Sequence, residues 1–194
     1  MTESHPLQPF LPSGAKILML GSFPPKRERW SMDFFYPNFN NDMWRIMGLV
    51  FFGDRTHFIV SGSRRFDRDA VVSFCSDKGI ALYDTASEVR RLKDNASDKF
   101  LEIVTPTDIS ALLESLPECR AVATTGQKAA ETAAAVFGCP LPSPGTNVLF
   151  RHPDNTMRES CRLWRMPSSS RAYPLSIEKK ADFYREMFEN EGLL

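Results

Sequence analysis

Apolar and polar positions alternate along this chain in two distinct periods. Lys16 to Leu20 (KILML) is a short apolar run that stops at Gly21 and the Pro24–Pro25 pair, which predicts a buried strand. From Asn41 the period changes: Met43, Ile46, Met47, Val50 and Phe51 fall at i, i+3, i+4, i+7 and i+8, a helix that Gly53 terminates. Ala70, Val71, Phe74 and Cys75 mark a second helix over 67–78, with Gly79 as its C-cap. IALY (80–83) reads as a strand. Ile109, Leu112, Leu113 and Leu116 mark a helix capped by Thr107 or Asp108. AVATT (121–125) is a strand, followed by Gly126 and an alanine-rich helix that ends near Gly138. NVLF (147–150) and RLWRM (162–166) are further strands, and a last helix spans about 177–190. Residues 84–106 are polar and irregular and read as a long functional loop.

Strands alternating with helices predict an α/β fold, a three-layer α/β/α sandwich around a short, mainly parallel sheet. Without internal repeats or an obvious linker, residues 1–194 read as a single domain, with 1–14 as a flexible N-terminal arm. In such sheets ligands sit outside the carboxyl ends of the strands, so the turns at 21–25, 84 onward, 126 onward and 167–171 are the places to look for a site.

The 194 residues carry 24 basic and 24 acidic side chains and are 42% apolar, which excludes a disordered chain and a protein that coats nucleic acid by bulk charge. No run approaches a membrane span, and the N-terminus lacks the pattern of a secretory signal, so an intracellular protein is expected. Local charge is uneven: residues 151–171 hold five arginines, Arg151, Arg158, Arg162, Arg165 and Arg171, against Asp154 and Glu159. The cysteines at 75, 119, 139 and 161 form no close pair and the three histidines no i, i+4 pair. Hence no metal, iron–sulfur cluster or other cofactor is expected.

Three segments at the expected strand ends carry chemistry. GSFPP (21–25) follows the first strand, YPNFNNDMW (36–44) opens the next helix, and MPSSSRAY (166–173) follows the last strand. In this order and spacing they resemble the uracil-DNA glycosylase superfamily, closest to its mismatch-specific uracil/thymine-DNA glycosylases and its hypoxanthine-DNA glycosylase branch. GIALYDTASEVRR and AVATTGQKAA are also similar to the hypoxanthine branch, so the likeness runs from about residue 16 to residue 188.

The resemblance implies a metal-independent DNA glycosylase that flips a deaminated or mismatched base (uracil, hypoxanthine or thymine) out of double-stranded DNA and hydrolyses its N-glycosidic bond. The alternative is a protein of that fold that binds nucleic acid or a nucleobase without cleaving. The reaction needs donors aimed at the departing base, a positioned water and a means of extracting the nucleotide. By resemblance, Gly21, Ser22 and Phe23 form the turn that touches the base and Tyr36 stacks on it. Asn38 replaces a frequent His or Gly near its edge. Many superfamily members hold the attacking water with an Asn or Asp where this chain has Phe23. The hypoxanthine branch lacks that residue too, and there the role passes to the position of Asn41, which here also suits an N-cap, a role open to Asn40 instead. Pro167, Ser168, Ser169 and Ser170 resemble the loop that grips DNA phosphates. Arg171 resembles the residue that fills the gap left by the flipped nucleotide, one position early. Asp84 and Asp98 read as acids holding the long loop, and Lys26, Arg27 and Arg29 as a charged helix start.

Overall fold

In a computed structural model of the chain, residues 2–92, 100–151 and 161–194 are described. Among these described residues, eight strands and five α-helices run in the order β1 (Thr2–Ser4), β2 (Ile17–Gly21), α1 (Met43–Phe52), α2 (Arg68–Lys78), β3 (Ile80–Asp84), β4 (Ala86–Arg91), β5 (Leu101–Pro106), α3 (Ile109–Glu114), β6 (Ala121–Thr124), α4 (Gln127–Phe137), β7 (Thr146–Phe150), β8 (Cys161–Arg165) and α5 (Ile177–Asn190).

Five strands form the main sheet in the order β3-β2-β6-β8-β7. All neighbours are parallel except β7, an antiparallel edge beside β8. Every residue of β2, β3 and β6 is buried, which requires cover on both faces, so the alternating pattern yields the expected α/β/α sandwich. The helices end as their sequences dictate. Gly53 takes a left-handed φ of 67° and its N–H closes on the carbonyls of Gly48 and Leu49, ending α1. Between the two residues proposed to cap α3, Asp108 does so, accepting from the N–H of Ala111. The Thr107 hydroxyl instead donates to the carbonyl of Asp84.

Two expectations fail. Residues 84–106 are not an irregular loop: β4 and β5 pair antiparallel and, with β1, form a second, three-stranded sheet. Its faces alternate only weakly because a small cluster, Ala86, Val89 and Leu101, is all it buries, so its periodicity is hard to see in sequence. Nor do residues 2–14 lie free as an arm. Thr2–Ser4 pair with Arg90–Glu88, Phe10 exchanges backbone hydrogen bonds with Leu82, and the His5 side chain is only 2% exposed. Asp98 and Arg158 lie outside the described residues.

Parallel pairing places the carboxyl ends of β2, β3, β6 and β8 along one rim, with Gly21 opposite Asp84, Leu20 opposite Thr124, and Thr124 opposite Arg165. The chain leaves β2 toward β3 and later returns on its other side as β6, so the order reverses at β2. A crevice at such a reversal is where this architecture accommodates ligands. Among the described residues no helix is long and apolar enough to cross a membrane.

Candidate active site

A cleft of about 670 Å³ opens at that reversal. It has the size of a small-molecule or nucleobase pocket. Gly21–Pro25, Asp84, Thr125 and Ser168–Ser170 line it, three of the four turns expected from sequence. At the fourth, the lining residue is Thr125 rather than anything from Gly126 onward.

Gly21 is where a side chain has no room. A Cβ there would run into the Asp84 carboxylate, which lies over this glycine together with the Tyr36 hydroxyl. Ser22 is buried and Phe23 half-buried. The Phe23 ring packs on the Ala86–Val89–Leu101 cluster of the second sheet and meets the His5 ring edge-on at 5.2 Å. This explains an aromatic residue in a turn that resembles ones with Asn or Asp: here the side chain builds the wall instead of holding water.

Among the described residues, Tyr36 is the one non-glycine residue with a left-handed backbone, at φ 50°, a conformation that costs free energy unless its surroundings impose it. Two contacts do so. Its hydroxyl lies 2.9 Å from the Thr125 hydroxyl, and its ring stands edge-on to Trp44 at 6.1 Å. Burial, reinforced by the negative Asp84, pushes its pKa well above the ordinary tyrosine value, so the phenol is neutral and the ring fixed beside the cleft.

Asn38 and Asn41 also line the cleft, each with its side-chain oxygen engaged locally. Asn38 Oδ1 accepts from the N–H of Asn40, and Asn41 Oδ1 accepts from the N–H of Met43, the first residue of α1. Thus Asn41, which precedes the cap position held by Asp42, does tie down a helix-start N–H. Asn40 does not do so; its Oδ1 accepts from Arg64. Capping occupies the Asn41 oxygen and leaves the amide NH₂ available to the cleft.

The Ser168–Ser170 loop is joined to the start of α1 by backbone and charge. Asp42 N–H donates to the Ser169 carbonyl at 2.9 Å, and Asn41 and Ser170 form a β-bridge. Lys180 of α5, 1% exposed, donates to the Ser170 carbonyl at 2.8 Å and to Asp42 Oδ2 at 3.3 Å. Pro167 is buried beneath, its carbonyl accepting from the Tyr184 hydroxyl. Arg171 leans sideways to Asp42 Oδ1 at 3.4 Å, its side chain 54% exposed, and does not line the cleft.

The arginine cluster expected around this loop is not assembled. Arg162 lies at the start of β8, the far end of the sheet, against Glu191, and Arg151 lies at that end too, just after Phe150, which pairs with Cys161. Arg165 turns to the Pro142 carbonyl. Of the described arginines in 151–171, Arg171 alone stays by the cleft. Near the opposite rim, Arg27 pairs with Asp33 and covers the Trp30 ring.

Two groups were underread in the sequence. Asp84 ends β3 instead of lying in a loop, and its Oδ2 accepts from His5 Nε2 at 2.8 Å, leaving Oδ1 over Gly21. The His5 ring is held by Phe23, Phe35 and Tyr83, and its Nδ1 lies against the Leu7 backbone. Nothing near His5 in sequence signals this contact. Lys180 did carry a signal, since it falls on the apolar stripe of Ile177, Ala181, Tyr184 and Phe188, where a lysine needs a buried partner.

No family model and no curated protein sequence matches the chain. Its fold does have a counterpart: the solution NMR structure of a candidate uracil DNA glycosylase from Methanosarcina acetivorans superimposes with a TM-score of 0.64 over 99% of both chains, at 19% identity. The chain therefore has the uracil-DNA glycosylase-like α/β fold, with its cleft at the carboxyl ends of the parallel strands.

Proposed function

We propose that this protein is a monofunctional DNA glycosylase of the uracil-DNA glycosylase superfamily that takes a deaminated or mismatched base from double-stranded DNA into the cleft and hydrolyses its N-glycosidic bond. The observation that carries this reading is the convergence of the Gly21–Phe23 turn, Tyr36, Asn41, Asp84 and the Ser168–Ser170 loop on one cleft of nucleobase size. The sequence likeness and the shared fold of the Methanosarcina acetivorans protein support it from other directions.

Each group has a chemical task in this reading. The Tyr36 ring supplies a π-face that accepts more than one base. Asp84 is acceptor-only when ionised. Uracil, thymine and hypoxanthine present a ring N–H on their pairing edge, whereas cytosine and adenine present a lone pair there, so a carboxylate favours the first group and repels the second. Asn41, with its NH₂ free, holds the attacking water or the departing base. Ser168–Ser170 offer hydroxyl and backbone donors to the flanking phosphates, with Pro167 setting the turn and Arg171 swinging from Asp42 toward the vacated stack.

Duplexes carrying uracil, hypoxanthine, xanthine or mismatched thymine, assayed for abasic sites beside free nucleosides, test the proposal. Base release from at least one lesion duplex and none from nucleosides is expected. Because Phe23 is committed to the wall, the competing reading is a protein that binds the lesion or base without cutting. Tight lesion binding with no abasic product would establish that reading instead.

A further inference from the structure

We propose that Arg45, Arg55, Arg64 and Arg171 form a phosphodiester-binding surface on the α1 side of the cleft, which receives the DNA backbone leading away from the flipped nucleotide. This rests on the glycosylase reading and adds to the motif residue Arg171 three arginines, Arg45, Arg55 and Arg64, that no motif assigns.

The guanidinium groups of Arg45, Arg64 and Arg171, from three separate parts of the chain, meet around residues 39–42, and Arg55 lies near enough to repel the charge on Arg45. Arg45 lies flat on Phe39, its Cζ 4.3 Å from the ring centre, and within 5.2 Å of Phe66. It donates to the carbonyls of Phe39 and Asn41, at 2.7 and 3.1 Å. Arg64 approaches the same Phe39 ring at 5.5 Å and reaches Asn40 Oδ1, and Asn40 lines the cleft. Arg171 approaches from the serine loop. Arg55, Arg64 and Arg171 all repel the charge on Arg45, and Asp42 is the acid that opposes them there.

Asp42, however, is already shared between Lys180 and Arg171. Among the described residues no carboxylate lies within ion-pair distance of Arg55 or Arg64, and both are exposed. Asp54, next to Arg55, spends its Oδ1 on Thr56. An array of like charges without enough counter-charge is unfavourable in the free protein and is relieved by an anion. Guanidinium forks held on an aromatic platform suit phosphate oxygens, because little side-chain freedom remains to be lost on binding. Continuity with the cleft through Asn40 and Asn41 makes the anion a nucleic-acid backbone.

The test is binding of an undamaged duplex to the full chain across a salt series, comparing wild type, Arg55→Ala/Arg64→Ala, Arg55→Lys/Arg64→Lys, and Arg162→Ala at the far end of the sheet. We expect the alanine pair to make the slope of log K against log salt shallower by about 2 and to weaken low-salt binding at least about tenfold. The lysine pair and Arg162→Ala should keep most of the wild-type slope. Melting temperatures, expected to match, show that the fold is intact. An unchanged slope in the alanine pair, wild-type binding without salt dependence, or equal competition by poly-glutamate overturns the surface. Abasic-site formation is scored separately. Cleavage with an unchanged slope defeats the surface alone, whereas a shallower slope with no cleavage of any lesion supports the surface and defeats the glycosylase reading.

Discussion

His5 and Asp84 stand 79 positions apart, yet His5 Nε2 donates to Asp84 Oδ2 at 2.8 Å and so sets which carboxylate oxygen faces the cleft. If Asp84 reads the base edge, Asp84→Ala should lower single-turnover excision by about 10²-fold, the usual scale for losing a positioned polar group. Undamaged duplex binding should stay the same. His5→Ala keeps the carboxylate but frees its rotation, and we expect a smaller loss, about tenfold. Equal effects of the two variants would mean that His5 does more than orient its partner.

Asn41 divides its amide between helix and cleft, so its two halves are separable. Asn41→Asp retains the oxygen that accepts from Met43 N–H and removes the NH₂. It should melt near wild type while cleaving about 10²-fold more slowly. Asn41→Ala loses both, with a similar kinetic defect and about 1 kcal/mol of stability. A thermal melt beside single-turnover cleavage separates the roles, and an Asp variant of normal rate would leave Asn41 as a cap only.

Lys180 and Asp42 form a buried pair, each under a tenth exposed. Lys180→Met leaves Asp42 still paired with Arg171, but removing Asp42 strands the buried Lys180 charge, so Asp42→Asn should cost about 3–5 kcal/mol. For a chain of this size that is a fall of roughly ten degrees in Tm. Asp42→Asn/Lys180→Met should recover part of it. Additive losses in the double variant would show that the two side chains act independently.

Tyr36 and Tyr184 are both held above the ordinary tyrosine pKa of 10.0 by burial, with Asp84 adding to the shift at Tyr36. A raised folded-state value favours the fold while the phenol stays protonated. That contribution is complete below pH 10 and is lost as pH rises above it, because the unfolded chain ionises first. Tyrosinate absorbance from these two residues should therefore appear together with loss of the fold. Their titration in a chain that still shows native circular dichroism would contradict the burial described here.

The layered architecture was legible because the strongest periodicities belong to the main sheet and its helices. Met43 to Phe51 and the AVATT strand had to be buried, and Gly53 and Gly79 had to end helices. Much of the cleft was legible for the same reason, since strand ends predict where turns gather. What escaped depends on contacts across the chain. β4 and β5 bury too little to set a clear alternation, and His5 owes its role to pairing by Thr2–Ser4 rather than to any neighbour in sequence. The arginines misled in both directions. Residues close along 151–171 point to opposite ends of β8, while Arg45, Arg64 and Arg171 converge from distant segments.

Phe23 bears on how such a site changes over evolutionary time. Its ring belongs at once to the cleft and to the wall built by Ala86, Val89 and Leu101. Exchanging it for Asn would add a water-holding amide but leave a void against the second sheet and remove the edge contact with His5. A lineage cannot cross between the two kinds of turn by that single step without weakening the wall. The second sheet has to be repacked first, and until then it acts as a ratchet that, in the proposed reaction, leaves the water-holding role to positions other than this turn.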